Sequence, residues 1–271
     1  MTKFKITAPI LSYFLFLSLL VAMGVSSLNI TTETLFIVSV VMFMTCSVSA
    51  THLFGLKTAS KFIALALAIG FFAEYMGETY GWFFGEYTFT DALGLRLLGV
   101  PVVIPLMWFN LSYICYVLGN IILNRTPINP SNRISKIIVS AFFSSILVAA
   151  YDLAADPYMV FVIKAWVMKK TDGWWFGETI QGFFGWTFIA FIINLSFSLI
   201  VRTKQRNPPE NFKKIHALIP IWIFFCWMVF QMMYGSPIET RIVSFFAMGI
   251  PLMVALFSWD NWSWNSIKGS N

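Results

Sequence analysis

Eight apolar runs dominate this chain and leave it one way to fold. They fall near 8–25, 35–54, 61–78, 99–122, 136–156, 182–201, 215–234 and 242–258. Runs of roughly 17 to 25 residues cross a hydrocarbon core of about 30 Å as helix. A lone segment inside lipid must satisfy its own backbone, which only a helix does. Composition agrees: 58% of the residues are hydrophobic and 11% charged, with a mean hydropathy of +0.76, which excludes an ordinary soluble domain. The expected fold class is all-α, a polytopic integral membrane helical bundle of about eight transmembrane helices. No stretch between spans is long enough to fold alone, so residues 1–271 are expected to form a single integral membrane domain.

The net charge of +6 does not point to nucleic acid, because Lys and Arg are spread through short loops rather than gathered in a block. With the N-terminus in the cytoplasm, Lys3, Lys5, Lys57, Lys61, Arg125, Arg133, Lys136, Arg202, Lys204, Arg206, Lys213, Lys214 and Lys268 fall on that side. Arg96, Lys164, Lys169, Lys170 and Arg241 fall on the other. Positively charged loops stay inside, so both termini are expected to be cytoplasmic, in a prokaryotic cell membrane. The first apolar run exceeds a signal-peptide core and reads as a retained anchor. Cys46, Cys115 and Cys226 lie within predicted spans without metal-binding or disulfide spacing and read as packing residues.

One phrase occurs twice: "GWFFGE" at 81–86 and "GWWFGE" at 173–178. Each copy follows a helix end carrying two carboxylates four residues apart, "EYMGE" (Glu74, Glu78) and "DLAAD" (Asp152, Asp156). Each precedes a similar motif inside the next span, "FNLSY" at 109–113 and "INLSF" at 193–197. Three features in one order favour a parallel internal repeat over chance. The glycines around each aromatic triplet predict a tight turn, and Pro101, Pro105 and Pro157 are expected to stop or bend helices nearby.

Residues at i and i+4 share a helix face, so Glu74 projects with Glu78 and Asp152 with Asp156. Like charges at that spacing repel, and an acid at the membrane is costly to ionise. One member of each pair is therefore expected to hold a proton beside an ionised partner, the arrangement that general acid and base catalysis requires. The deeper members, Glu74 and Asp152, are the stronger candidates, while Glu78 and Asp156 could simply face water. Trp82, Trp174 and Trp175 lie beside these acids, and aromatic faces stabilise a cation by roughly 0.5 to 2 kcal/mol each. Ordinary headgroup anchoring explains any single Trp equally well. Asn110 and Asn194 fall inside spans, as interhelical hydrogen bonds or pocket-lining groups. Membrane di-iron sites need many histidines, and this chain has His52 and His216 alone, both near predicted cytoplasmic boundaries, so no metal is expected.

The stretches "AEYMGETYG" (73–81), "FGEYTFTDALGLRLLGVPVVIPLMW" (84–108), "YDLAADPYMVFVIKAW" (151–166) and "GWWFGETIQGFFGW" (173–186) resemble the multi-pass membrane carotenoid biosynthesis family, which includes bisanhydrobacterioruberin hydratase and γ-carotene 1′-hydroxylase types. The matching positions include Glu74, Tyr87, Pro101, Trp108, Asp152, Asp156, Pro157, Trp166, Gly177 and Trp186. Glu178 and Thr179 depart from a Val-Pro pair in that pattern, and Gly182 from an Asn, which bears on the substrate more than on the reaction class.

The resemblance implies addition of water to the terminal double bond of an acyclic ψ-end carotenoid, giving a tertiary alcohol without a cofactor. Spacing alone makes Asp152 the expected acid and Glu74 the expected base or its partner, with Asp156, Glu78 and Asp91 in reserve. Trp82, Tyr87, Trp108, Asn110, Trp166, Trp174 and Trp186 are expected around the substrate, of which Tyr87, Trp108, Trp166 and Trp186 match the family pattern. Glu86 and Glu178, closing the two phrases, are expected at the interface rather than in catalysis. The partners implied are a carotenoid, the lipid bilayer and other carotenoid enzymes, with no nucleic acid.

Rival readings remain open at this point. A prenyltransferase would hold magnesium diphosphate on "DLAAD", but needs a second Asp-rich motif and basic ligands. A carotenoid cyclase shares the protonation step and differs in what quenches the cation. A proton-coupled transporter would need a polar path to the opposite side, whereas ten of the twelve acidic residues gather on one side in this topology.

Overall fold

The computed structural model describes residues 2–129, 131–170, 175–202 and 214–261, with side chains from residue 9 onward. Its helices are α1 (Thr2–Leu28), α2 (Thr32–Phe54), α3 (Leu56–Tyr80), α4 (Val103–Asn124), α5 (Ile134–Tyr158), α6 (Ile180–Val201), α7 (Leu218–Tyr234) and α8 (Glu239–Asp260). All eight are long and apolar enough, α7 with its short 3-10 lead-in, to cross a membrane.

The helix ends are written in local chemistry. The side chain of Thr31 accepts from the Thr34 amide ahead of α2, and that of Thr179 accepts from the Gly182 amide ahead of α6. Each satisfies an amide that the first helical turn leaves without a partner. Gly81 closes α3 in the left-handed region at φ 69°, where a residue with a Cβ is strained.

Helix α4 is the core of the bundle. It packs against α2, α3, α5, α6, α7 and α8 and is buried almost continuously from Val103 to Ile121. Phe62 of α3 stacks on Phe197 of α6 with ring centroids 3.9 Å apart, and Tyr113 shares a 2.7 Å hydrogen bond with Ser49 of α2. The whole surface of such a helix meets protein, so its Asn and Tyr residues face neighbours rather than lipid.

The segment expected to begin the fourth span at 99 instead forms a hairpin of β2 (Arg96–Leu97) and β3 (Val100–Pro101), and the helix starts at Val103. Just upstream, β1 (Tyr87–Phe89) pairs antiparallel with β4 (Trp166–Met168), in the register Tyr87↔Met168, Thr88↔Val167 and Phe89↔Trp166. The two long loops that carry the repeated phrases are thereby clasped together. Further bonds hold the clasp: the Thr90 hydroxyl donates to the Lys164 carbonyl at 2.6 Å and the Lys169 amide to the Glu86 carbonyl at 2.8 Å.

Pro157 does not stop α5. The helix passes through it to Tyr158 and continues as a π-helical segment, Met159–Ile163. Proline has no amide proton, so the carbonyl four residues earlier, that of Leu153, loses its helical donor. The indole of Trp175 supplies the missing bond, donating to the Leu153 carbonyl at 2.8 Å.

Candidate active site

The ends of α3 and α5 meet the starts of α4 and α6 at one end of the bundle, under the clasped loops. Four carboxyl side chains are buried there: Glu74, Asp152, Asp156 and Glu178, each 7% exposed or less.

Glu74 sits on α3 directly beneath β1 and beside α4. Its Oε2 accepts from the Tyr87 hydroxyl at 2.6 Å and its Oε1 from the Trp108 indole at 2.8 Å. Burial, and then the charge of Glu74, push the Tyr87 phenol well above its usual value, so it remains a donor. Trp108 reaches Glu74 because Gly70, one turn earlier on α3, has no side chain: a Cβ there would meet the Trp108 ring at 2.7 Å. Both oxygens of the Glu74 carboxyl are thereby held by donors from different elements. Trp186 stacks on Trp108 with centroids 4.5 Å apart.

Asp152 and Asp156 project one turn apart from α5. Both line a cleft of about 120 Å³ built from α1, α2, α4, α5, α6, α7 and the loops, with walls that include Val38, Ile104, Met107, Leu111, Trp186, Trp227 and Phe230. That volume is of the order of a cavity of about 150 Å³ that takes benzene, so a small apolar group fits and a longer molecule must extend beyond it. Among the described residues, neither Lys nor Arg lines it. Gln231, at its edge, donates to the Tyr151 carbonyl at 3.1 Å and accepts from the Ser244 hydroxyl at 3.0 Å.

A smaller chamber of about 30 Å³ adjoins it, lined by Glu74, Tyr87, Asp156, Trp166, Glu178 and Gly182 among others. Asp156, Ile104, Trp166 and Trp186 line both spaces. Asp156 therefore stands at the junction between an apolar cleft and a carboxyl-lined chamber.

Glu178 corrects the expectation of an interfacial residue. It is 5% exposed and lines the small chamber together with Asp156 and Trp166. Burial raises its carboxyl above the usual range, against the opposing pull of the neighbouring Asp156 and Trp166 side chains. Glu86, its counterpart in the first phrase, does lie at the surface, paired with Lys170 at 2.8 Å. That bond holds the Glu86 carboxyl below its ordinary value and raises Lys170.

The other proposed site residues divide clearly. Tyr87, Trp108, Trp166 and Trp186 surround the carboxyls. Asp91 is fully exposed and bonded to Arg96 at 2.8 Å, away from the cluster. Glu78 is half-buried beside Gly99 and lines neither cavity. Trp82 is 52% exposed, on the outside of its turn. Asn110 is buried in α4 but borders neither cavity. Trp174 and Gly173 lie outside the described residues. Two contributors escaped sequence reasoning, Glu178 and Phe84, whose ring lies 6.1 Å from Trp108 and walls the chamber.

An eight-helix integral membrane protein whose apolar cleft ends on buried carboxyl groups defines the class. The chain belongs to the carotenoid biosynthesis protein family, whose model matches residues 31–251. It is 26% identical over 155 residues to bisanhydrobacterioruberin hydratase of Haloarcula japonica, covering 55% of this chain and 50% of that protein. The match thus spans about half the length of this curated relative. No solved structure matches the chain.

Proposed function

We propose that the protein is a carotenoid hydratase that adds water to the terminal double bond of an acyclic ψ-end carotenoid and gives a tertiary alcohol. The observation that carries this reading is the apolar cleft, sized for an end group, that ends on Asp152 and Asp156 with no cationic side chain among its described lining residues. The family membership and the name of the relative support it.

In the proposed reaction a protonated carboxyl at the α5 end of the cleft adds its proton to the less substituted alkene carbon. The positive charge falls on the tertiary carbon, which lies against the faces of Trp166 and Trp186 and near the Glu74 carboxylate. Water then forms the new C–O bond and surrenders a proton to a carboxylate. The sum is alkene plus water to alcohol, with no electrons exchanged, so no redox cofactor is needed. A diphosphate-binding prenyltransferase fits less well, because a diphosphate calls for cations that this cleft does not offer. The protein is placed in the cell membrane with both termini cytoplasmic, from the distribution of its Lys and Arg.

The test is expression in a host that accumulates lycopene or γ-carotene, followed by mass analysis of the pigments. A gain of one water is expected. An isomer of unchanged mass would assign a cyclase, and untouched pigment from both hosts would remove the hydratase reading for those substrates.

A further inference from the structure

We infer that Asp156 and Glu178 form a single proton-sharing acid–base pair, and that the small chamber beside them holds the water that becomes the product hydroxyl. This rests on the hydratase reading and assigns Glu178 a catalytic role.

Two carboxyl groups can hydrogen-bond to each other only if one of them carries a proton. Asp156 and Glu178 line the same small chamber with Trp166, close enough for their side chains to interact. A carboxyl against an apolar wall is costlier to ionise than one in a polar chamber, which leaves the shared proton on Asp156. Asp156 is also the member of the pair that lines the apolar cleft, whereas Glu178 lines only the chamber. The proton is therefore held on the side of the alkene.

The chamber points to a small polar ligand. Its volume of about 30 Å³ exceeds the roughly 10–15 Å³ that a single water requires. Asp156 Oδ1 and Glu178 Oε1 are both buried without a hydrogen-bond partner, in residues 7% and 5% exposed. A buried polar atom left so is costly, and a water in the adjoining space supplies what both oxygens lack. Gly182 preserves that space: a Cβ there would sit 3.3 Å from Thr179 Oγ1, 3.4 Å from the Phe84 carbonyl and 3.9 Å from Glu178 Oε2.

The cycle balances within the pair. Asp156 transfers its proton to the alkene carbon in the cleft, forming a C–H bond and leaving two carboxylates beside a tertiary cation. The chamber water attacks that cation, and as the C–O bond forms its surplus proton passes to Glu178. Return of this proton across the shared bond to Asp156 restores the starting state without exchange with solvent.

The inference predicts a product ratio, which does not depend on how much protein accumulates. In the pigment-accumulating host, wild type, Asp156→Asn, Glu178→Gln and Gly182→Ala are compared for hydrate and for isomers of unchanged mass, which arise when the cation loses a proton instead of gaining water. Glu178→Gln and Gly182→Ala should still convert substrate, with the hydrate-to-isomer ratio lowered by about 10²-fold, the low end of a general base's contribution. Asp156→Asn should stop conversion to both. If wild type makes hydrate and both Glu178→Gln and Gly182→Ala keep its ratio, or if Asp156→Asn remains active, the inference is overturned. If wild type itself makes no hydrate, the underlying hydratase reading fails instead. Should either variant fail to accumulate, the other carries the same readout, and exchange of ¹⁸O from labelled water into product by purified wild type, lost in the surviving variant, provides a second one.

Discussion

Trp175 donates its indole hydrogen to the Leu153 carbonyl over 2.8 Å, the carbonyl that Pro157 leaves without its helical donor. This bond fastens the second aromatic phrase to the side of α5, three residues before Glu178 and within one turn of Asp156. A break in the helix ladder thus becomes the anchor that brings an acid from a loop into contact with an acid from a span.

Trp175→Phe should strip that carbonyl of its partner and destabilise the protein by about 1–3 kcal/mol, the usual penalty for a buried unsatisfied group. Adding Pro157→Ala, which restores the helical amide, should recover part of the loss, giving non-additive changes in a double-mutant cycle. Thermal unfolding in detergent measures it. Strict additivity would show that the indole does not replace the helical bond.

Glu74 depends on two donors from different elements, Tyr87 at 2.6 Å and Trp108 at 2.8 Å. A hydrogen bond to a charged group is worth about 1.5–3 kcal/mol, so Tyr87→Phe and Trp108→Phe should each slow pigment conversion about tenfold or more if Glu74 steadies the cation. Combined, they should cost less than the product of the two, because both act through one carboxylate. Unchanged conversion in both single variants would remove Glu74 from the reaction.

Position relative to the cavities separates acids that sequence spacing left equivalent. Asp152→Asn, in the cleft, should lower conversion by at least about 10²-fold if it takes part in proton transfer. Asp91→Asn, exposed and paired with Arg96, should leave activity within about twofold of wild type, since surface pairs contribute little. Comparable losses in both would contradict the site as drawn.

Burial raises the Glu178 carboxyl above its ordinary value, which fixes the sign of a pH effect. A carboxyl whose folded pKa lies above its unfolded value, about 4.3 for Glu, contributes its full stability below that unfolded value. The contribution fades as pH rises through the folded value. Wild type should therefore lose thermal stability as pH is raised from about 4, and Glu178→Gln, which cannot ionise, should lose less. Parallel profiles for the two proteins would contradict the burial of this acid.

The spans were legible because a transmembrane helix is a local object. Its backbone bonds close within the segment, so a run such as 182–201 announces the helix found at Ile180–Val201. The pairing of Asp152 with Asp156 was equally legible, since i and i+4 share a face. Two boundaries were misjudged where tertiary contacts override local rules. Pro157 should end a helix but does not, because Trp175 satisfies the carbonyl it exposes. Residues 99–101 read as apolar span but fold into a hairpin.

The sequence by itself determined a bundle of about eight apolar helices, with paired acids at one end and aromatic turns after each pair. Only the tertiary structure decided which acids matter to one another. Glu86 and Glu178 close nearly identical phrases, yet one meets water and Lys170 while the other is buried against Asp156. The difference lies in what packs around each loop, through the β1–β4 clasp and the Trp175 anchor. Such contacts join residues distant in sequence, and no local pattern records them.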